Sequence, residues 1–370
     1  MRAAVLAAFL SVLAYSQDAP ADRLFAAALE AQQRGDYALA IKDYQQVVAQ
    51  QSDFFGAWAN LGVALVHVGR FEEAISAYRS ALKIDPSNTA LRRNLALAFY
   101  KKGDFRDAAG EFAALMQAEP GDPPTATLLG DCYVRLGDNA RAIAVIQPVA
   151  QTHPDDLDLA FVLGSALIAS GKENAGVALV QRVATERNSA EAYALAGKTW
   201  LKLGDPDKAH QDLEKAAALN PDFPGIYTLR GVAREGTHDD DGAEADFRKA
   251  LGLNPNDLEA AVHLGAILYQ KRELAEAKTY LDRALRIDPS SLFAQYEMAL
   301  WKSASGKLEE AVRDLEQVVR RDPNWMQAHV QLAALYYRVN RPEDGQKERD
   351  IVQRLSAQQQ KAESEAARSR

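Results

Sequence analysis

The residues whose types could support catalysis or ligand binding are few, and their spacing does not complete a known motif. The Gly-Lys-Thr run at residues 197–199 resembles the end of a phosphate-binding loop, but Ala192 stands where that loop needs a glycine. The Asp-Asp-Asp-Gly run at residues 239–242 lacks the glutamate that would follow in a calcium-binding loop. We expect these aspartates to cap the N-terminus of a helix instead.

Histidine and cysteine are also sparse. The histidines are scattered along the chain, at His67, His153, His210, His238, His263 and His329, and we expect them to be single packed or solvated side chains. Cys132 is the only cysteine, which excludes an internal disulfide and a cysteine-based zinc site, and we expect it to be buried. We therefore predict no catalytic residue, no metal site, no cofactor and no enzymatic activity.

The composition indicates a folded, acidic protein. Of the 370 residues 48% are hydrophobic and 25% are charged, which excludes disordered and collagen-like chains. Lys and Arg number 43 against 51 Asp and Glu, for a formal charge of −8. Proteins that bind a phosphate backbone usually carry the opposite sign, so we expect no nucleic-acid partner.

The N-terminus has the pattern of an export signal. Arg2 precedes an apolar run at residues 3–13, and small residues occupy the cleavage positions before Gln17. As a helix this run is about 16 Å long, shorter than the ~30 Å core of a bilayer. We predict a signal peptide at residues 1–16, a linker at 17–20, no membrane span, and a periplasmic or secreted protein. An uncleaved helix that packs on the domain is the alternative.

The positions of the prolines indicate that the elements holding these residues are internal repeats. Each proline in two series lies 34 positions after the one before it: Pro86, Pro120 and Pro154, then Pro221, Pro255, Pro289 and Pro323. Between the series one repeat is a residue shorter, and Asn188 stands where its proline would be. A sustained period of this length is typical of a solenoid and not of separate globular domains.

Each period contains two stretches with helical spacing of apolar residues. Residues 55–88 are representative: Gly69 separates a first stripe from a second one, and Asn88 can cap the next helix. The stripes are Trp58, Leu61, Gly62 and Leu65, then Phe71, Ala74, Tyr78 and Ala81.

This pattern, WANLGVALVHVGRFEEAISAYRSALKIDP, resembles the tetratricopeptide repeat, a 34-residue helix-turn-helix unit. The resemblance implies an all-α, right-handed superhelical solenoid of about ten units over residues 21–356, followed by a charged disordered tail at 357–370. The units are 21–54, 55–88, 89–122, 123–156, 157–189, 190–223, 224–257, 258–291, 292–325 and 326–356.

Two further features bear on packing. The eighth position of every unit is alanine or glycine, which predicts a close approach of two helices there: Ala28, Gly62, Ala96, Gly130, Gly164, Gly197, Gly231, Gly265, Ala299 and Ala333. Pro148 falls inside a predicted second helix, and Gly176 replaces the usual alanine of the next unit. We therefore predict a kink or hinge within residues 145–190.

The resemblance also implies that the first helix of each unit lines a concave binding face. The family's groove positions here hold Asn60, Arg93, Asn94, Tyr100, Lys101, Arg135, Phe161, Lys198, Lys202, Tyr269, Tyr296, Tyr337 and Arg338. The basic residues of the central units suggest an acidic or carboxylate-bearing ligand, and the C-terminal aromatics suggest apolar anchors for a peptide. The alternative is that these side chains are simply solvated.

The sequence therefore predicts an exported, non-catalytic scaffold that binds a peptide or protein segment in its concave groove. One alternative is an accessory subunit of a bacterial cell-envelope assembly or export machine, within a membrane-associated complex. A second alternative is an enzyme-associated module that recruits a substrate.

Overall fold

The computed structural model describes residues 20–368, and the predicted signal peptide lies outside this range. Over the described residues the chain forms twenty α-helices and no strand, so the all-α prediction is confirmed. The helices are α1 Pro20–Gln33, α2 Tyr37–Gln50, α3 Phe55–His67, α4 Phe71–Ile84, α5 Thr89–Lys102, α6 Phe105–Ala118, α7 Pro123–Arg135, α8 Asn139–Thr152, α9 Leu157–Ala169, α10 Glu173–Arg187, α11 Ala190–Lys202, α12 Pro206–Leu219, α13 Ile226–Gly236, α14 Asp240–Leu253, α15 Leu258–Gln270, α16 Leu274–Ile287, α17 Leu292–Ala304, α18 Leu308–Arg321, α19 Met326–Arg338 and α20 Pro342–Arg368.

The helices divide into two compact units. The N-terminal unit extends through Val183 and the C-terminal unit begins at Ala184, so the division falls within α10. In both units odd-numbered helices pack against the even-numbered helices that follow them, and α9 packs against α10 at Gly164 and Gly176, which makes one hairpin per repeat.

The odd-numbered helices form a layer of their own in each unit. In the N-terminal unit α3 contacts α5 and α7 contacts α9; in the C-terminal unit α11, α13, α15 and α17 contact one another in succession. Within the described residues no pair of even-numbered helices makes comparable contact. In a stack of hairpins the layer whose helices approach each other lies on the concave side. We call the odd-numbered helices the inner layer of each unit and the even-numbered helices its outer layer.

The small residue at the eighth position of a repeat allows the two helices of a hairpin to pack closely. A Cβ atom added to Gly197 would lie 2.5 Å from Cγ of Leu213, and one added to Gly265 would lie 2.7 Å from Cγ of Leu281. Both leucines are fully buried on the second helix of the same hairpin. Gly197 is therefore a packing residue and not part of a phosphate loop.

The turn inside each hairpin needs a residue in the left-handed region. Ten such residues recur at the same place in the repeat, at Gly35, Gly69, Gly103, Gly137, Gly171, Gly204, His238, Arg272, Gly306 and Asn340. Glycine adopts this conformation at little cost, whereas other L residues are strained there. His238, Arg272 and Asn340 adopt the same left-handed conformation, so the turn after each inner helix forms even where glycine is absent.

Side chains then begin the next helix. Asn88 accepts a hydrogen bond from the backbone amide of Leu91, as expected from its position. Asp239 accepts one from the amide of Gly242 and caps α14, which confirms that the Asp-Asp-Asp-Gly run has a capping role. These caps satisfy amides that a helix leaves without internal partners.

Pro148 lies within α8, which continues from Asn139 to Thr152. Pro148 and Ala144, whose carbonyl it deprives of a donor, are both exposed, so water can replace the missing hydrogen bond. In the shortened repeat, Asn188 follows α10 with a φ of 50°, a left-handed residue that ends the helix in place of the missing proline. The hinge within residues 145–190 stays a prediction.

At the C-terminus the structure differs from the expected disordered tail. Helix α20 continues through residue 357 to Arg368. Leu355 is the last buried residue among those whose side chains the structure describes, and the residues beyond it are mostly Ala, Gln, Glu, Lys and Arg. These are strong helix formers, which favours continuation of the helix beyond the core.

We predict that Arg272→Gly stabilises the C-terminal unit. Arg272 has a φ of 67° and its side chain is exposed, so glycine would relieve backbone strain and remove no buried contact. The expected gain in the free energy of unfolding is about 0.5–1 kcal/mol after the larger entropy of unfolded glycine is subtracted. Urea denaturation measures it. The reciprocal Gly306→Arg is the matched control and should lower stability; a destabilising Arg272→Gly would contradict the account.

Candidate partner-binding surface

All residues predicted from the groove positions lie on inner-layer helices. The N-terminal unit holds Asn60, Arg93, Asn94, Tyr100, Lys101, Arg135 and Phe161, and the C-terminal unit holds Lys198, Lys202, Tyr269, Tyr296, Tyr337 and Arg338. Their assignment to partner binding stays a prediction.

In the N-terminal unit Arg93 is engaged by carboxylates of its own unit. Its guanidinium lies 3.0 Å from Asp122 and 3.1 Å from Glu119, and it donates a hydrogen bond of 2.7 Å to the hydroxyl of Thr125. Burial opposes ionisation of Asp122, but hydrogen bonds from Thr125 and Arg93 lower its pKa below the usual value. Arg93 therefore ties α5 to the start of α7.

Arg135 is also paired. Its Nε donates a hydrogen bond of 2.6 Å to Asp131, which also accepts one of 2.5 Å from the hydroxyl of Tyr100. The guanidinium lies 5.7 Å from the ring centre of Tyr100 and 5.0 Å from that of Phe105, within the range of cation–π attraction. Tyr100, Asp131 and Arg135 thus form one network across α5 and α7.

These pairs change the expected character of the N-terminal surface. The sequence predicts a basic groove, but the charges of Arg93 and Arg135 are balanced by neighbouring carboxylates. Lys101 is exposed, and Asn60, Asn94 and Phe161 are half-buried. Asp131 occupies the ninth position of its repeat, which is itself a groove position. Acidic residues at groove positions thus indicate that the basic ones are paired, and the prediction of a basic groove did not take them into account.

In the C-terminal unit a histidine and a glutamate join successive repeats. Nδ1 of His263 on α15 lies 2.6 Å from a carboxylate oxygen of Glu235 on α13. The imidazole ring lies 5.3 Å from the ring centres of both Phe247 and Phe293. Burial favours neutral His263, but the hydrogen bond and charge of Glu235 outweigh it and raise its pKa above the usual value. His263 is therefore not the solitary side chain that the sequence suggested.

A tyrosine and a glutamate join the next two repeats in the same way. The hydroxyl of Tyr269 on α15 donates a hydrogen bond of 2.9 Å to Glu297 on α17. Glu297 is only 7% exposed, and burial raises its pKa to about 7 against the opposing effects of Tyr269 and His263. Each pair joins the twelfth position of one repeat to the sixth of the next, 28 residues later.

Aromatic and apolar side chains continue this surface over α17 and α19. Tyr296 is buried, with its ring centre 4.8 Å from that of Trp325. Phe293, Val330 and Tyr337 are 37%, 45% and 42% exposed. A cavity of about 560 Å³ opens beside Phe293, lined by Leu292, Phe293, Asp322, Asn324, Trp325, Met326, Gln327 and Gln359.

Other chemistry is limited in the part of the chain that the structure describes. No group of histidine, cysteine and carboxylate side chains there could hold a metal ion. Cys132 is fully buried, and burial raises the pKa of its thiol to about 12, which makes it unreactive. No helix among these residues combines the length and apolar character needed to cross a bilayer.

We predict that the stability of the C-terminal unit falls as pH rises from about 5 to 8. Because the pKa of Glu297 is raised to about 7, the folded state binds its proton more tightly than the unfolded state, and His263 acts in the same direction. Each group can contribute up to about 1.4 kcal/mol per pH unit. Urea denaturation of Glu297→Gln should show a free energy of unfolding that depends less steeply on pH. Glu309→Gln, at an exposed position of α18, is the control. If the free energy of unfolding depended on pH equally in Glu297→Gln and in the unaltered chain, this assignment would be wrong.

Comparison with protein families agrees with the geometry. Two models described as tetratricopeptide repeat match residues 25–89, and 65–132 together with 99–161. A model described as protein kinase G tetratricopeptide repeat matches residues 184–369. The small glutamine-rich tetratricopeptide repeat-containing protein 2 of Mycosarcoma maydis is 39% identical over 61 residues, which are 16% of this chain and 17% of that protein.

One solved structure has the same fold, and others are similar to this chain. A tetratricopeptide repeat protein from Parabacteroides merdae has a TM-score of 0.52 at 18% identity, over 66% of this chain and 97% of that one. Yeast Tom70 has a TM-score of 0.40 at 16% identity, over 96% of each chain. The family models match helices in both units, and the chain belongs to the tetratricopeptide repeat family.

Proposed function

We propose that the protein is an exported, non-catalytic scaffold whose inner layer binds a peptide or protein segment. Tetratricopeptide repeat proteins are in general scaffolds for protein interactions, and models of this repeat match residues 25–161 and 184–369. The observation that carries the proposal is the exposure of Phe293, Val330 and Tyr337 on inner-layer helices of one unit. Large apolar side chains on a concave surface are the usual anchors for a partner.

The location of the partner follows from the N-terminal sequence. If residues 1–16 direct export, the partner is periplasmic or extracellular. In that compartment an accessory role in a cell-envelope assembly or export machine is one specific form of the same function, with the machine's components as the bound proteins.

A second candidate function is favoured by one comparison. The family model that matches residues 184–369 is named for protein kinase G. This name supports a module that works beside an enzyme and recruits its substrate. In both candidates the inner layer makes the contact, and the candidates differ in whether the bound protein is itself processed.

Site-specific photocrosslinking in the producing cell tests the proposal. We expect a crosslinker at Val330, on inner helix α19, to capture a partner protein in the exported fraction. The matched control is Leu253, which is 57% exposed on outer helix α14. Capture from Leu253 and not from Val330 would contradict binding by the inner layer.

A further inference from the structure

We propose that the inner layer of residues 224–356 binds a segment that carries a lysine or arginine, and that this cation lies beside Glu297. The inference rests on the proposed function and adds the charge of the partner. It adds a charge to the apolar anchors that the sequence suggested for these C-terminal repeats.

The groove positions of these four repeats carry a surplus of acid. They hold Glu235, Glu259 and Glu297, against Arg338 as the one lysine or arginine and His263, which is paired with Glu235. The guanidinium of Arg338 donates a hydrogen bond of 2.8 Å to the hydroxyl of Ser303 and does not neutralise these carboxylates in any described contact. An acidic ligand would add a further negative charge to this surface, whereas a basic one would complement it.

Nearby basic side chains are engaged elsewhere. Arg230 and Arg234 lie 2.5 Å and 3.1 Å from the buried carboxylate of Asp246. Lys271 lies 2.5 Å from Asp241, and Lys302 lies 2.5 Å from Asp314. These four side chains therefore do not balance the acidic surplus.

Glu297 is the carboxylate with the most to gain from a ligand. It is 7% exposed, and the hydroxyl of Tyr269 is its one hydrogen-bond donor among the described residues. An ionised carboxylate can accept about four hydrogen bonds, and a buried charge without a counterion is costly. A lysine or arginine would supply the missing donors and would add to the positive charge of His263, which already acts on Glu297.

Two aromatic residues lie close to Glu297: Tyr269 donates a hydrogen bond to it, and Phe293 precedes it on α17. Phe293 lies one helical turn earlier on the same face of α17, and its exposed ring can contact a cation or an apolar neighbour. The cavity of about 560 Å³ begins at Phe293 and Trp325 and has Asp322 but no basic residue in its lining. A segment with a large apolar side chain next to its lysine or arginine could place the cation beside Glu297 and the apolar side chain in the cavity.

A display library of short random peptides, selected against the full chain, tests the inference. We expect enriched peptides to combine lysine or arginine with a large apolar residue. Fluorescence anisotropy then compares one enriched peptide with versions that carry glutamine or glutamate at the basic position. Glu297→Gln should weaken the basic peptide by about tenfold or more. Glutamine retains the acceptor for Tyr269 and so preserves the fold.

Different results would contradict this inference and the proposed function. Glu309→Gln, on the outer layer, should leave affinity unchanged. Enrichment of acidic peptides, or of basic peptides that bind Glu297→Gln as tightly as the unaltered chain, would overturn the basic-ligand inference. If those peptides still lose affinity on Val330→Asp, the proposed function survives. Failure to enrich any peptide, or binding insensitive to Val330→Asp, would count against the proposed function as well.

Discussion

The close approach of two helices at the eighth position of each repeat is the constraint on which the rest of the structure depends. Gly62, Gly130 and Gly231 each face a large buried side chain of the second helix, and an added Cβ would collide with it. Because the second helix is held this close, hairpins stack with their first helices side by side. The concave surface is thus a consequence of small residues that lie beneath it and never touch a partner.

Polar contacts also join successive repeats in this stack of hairpins. Arg93 reaches Asp122, Glu235 reaches His263, and Tyr269 reaches Glu297. Such partly buried pairs orient the inner helices while they satisfy polar groups that packing would otherwise isolate. They also set the charge of the surface, because a paired arginine contributes little to the field that a ligand meets. The binding character of the surface therefore depends on which charges remain unpaired.

Much of the fold could be predicted from the sequence, because a 34-residue period repeats the same packing problem many times. The chemistry of the surface could not, because the partner of each groove residue comes from another repeat: Asp122 follows Arg93 by 29 residues and Glu297 follows Tyr269 by 28. A prediction that considers each position separately treats the charge of Arg93 as unpaired. Pro148 is a similar case, since only its exposure explains why α8 continues through it.

The most direct test of this account is the stability of Gly130→Leu. Gly130 lies against the fully buried Ile146 of the same hairpin, so a leucine cannot fit without displacing α8 from α7. The account predicts a loss of about 1–3 kcal/mol in the free energy of unfolding, measured by urea denaturation. A variant as stable as the unaltered chain would show that the hairpins do not need this close contact, and the origin proposed for the inner layer would be wrong.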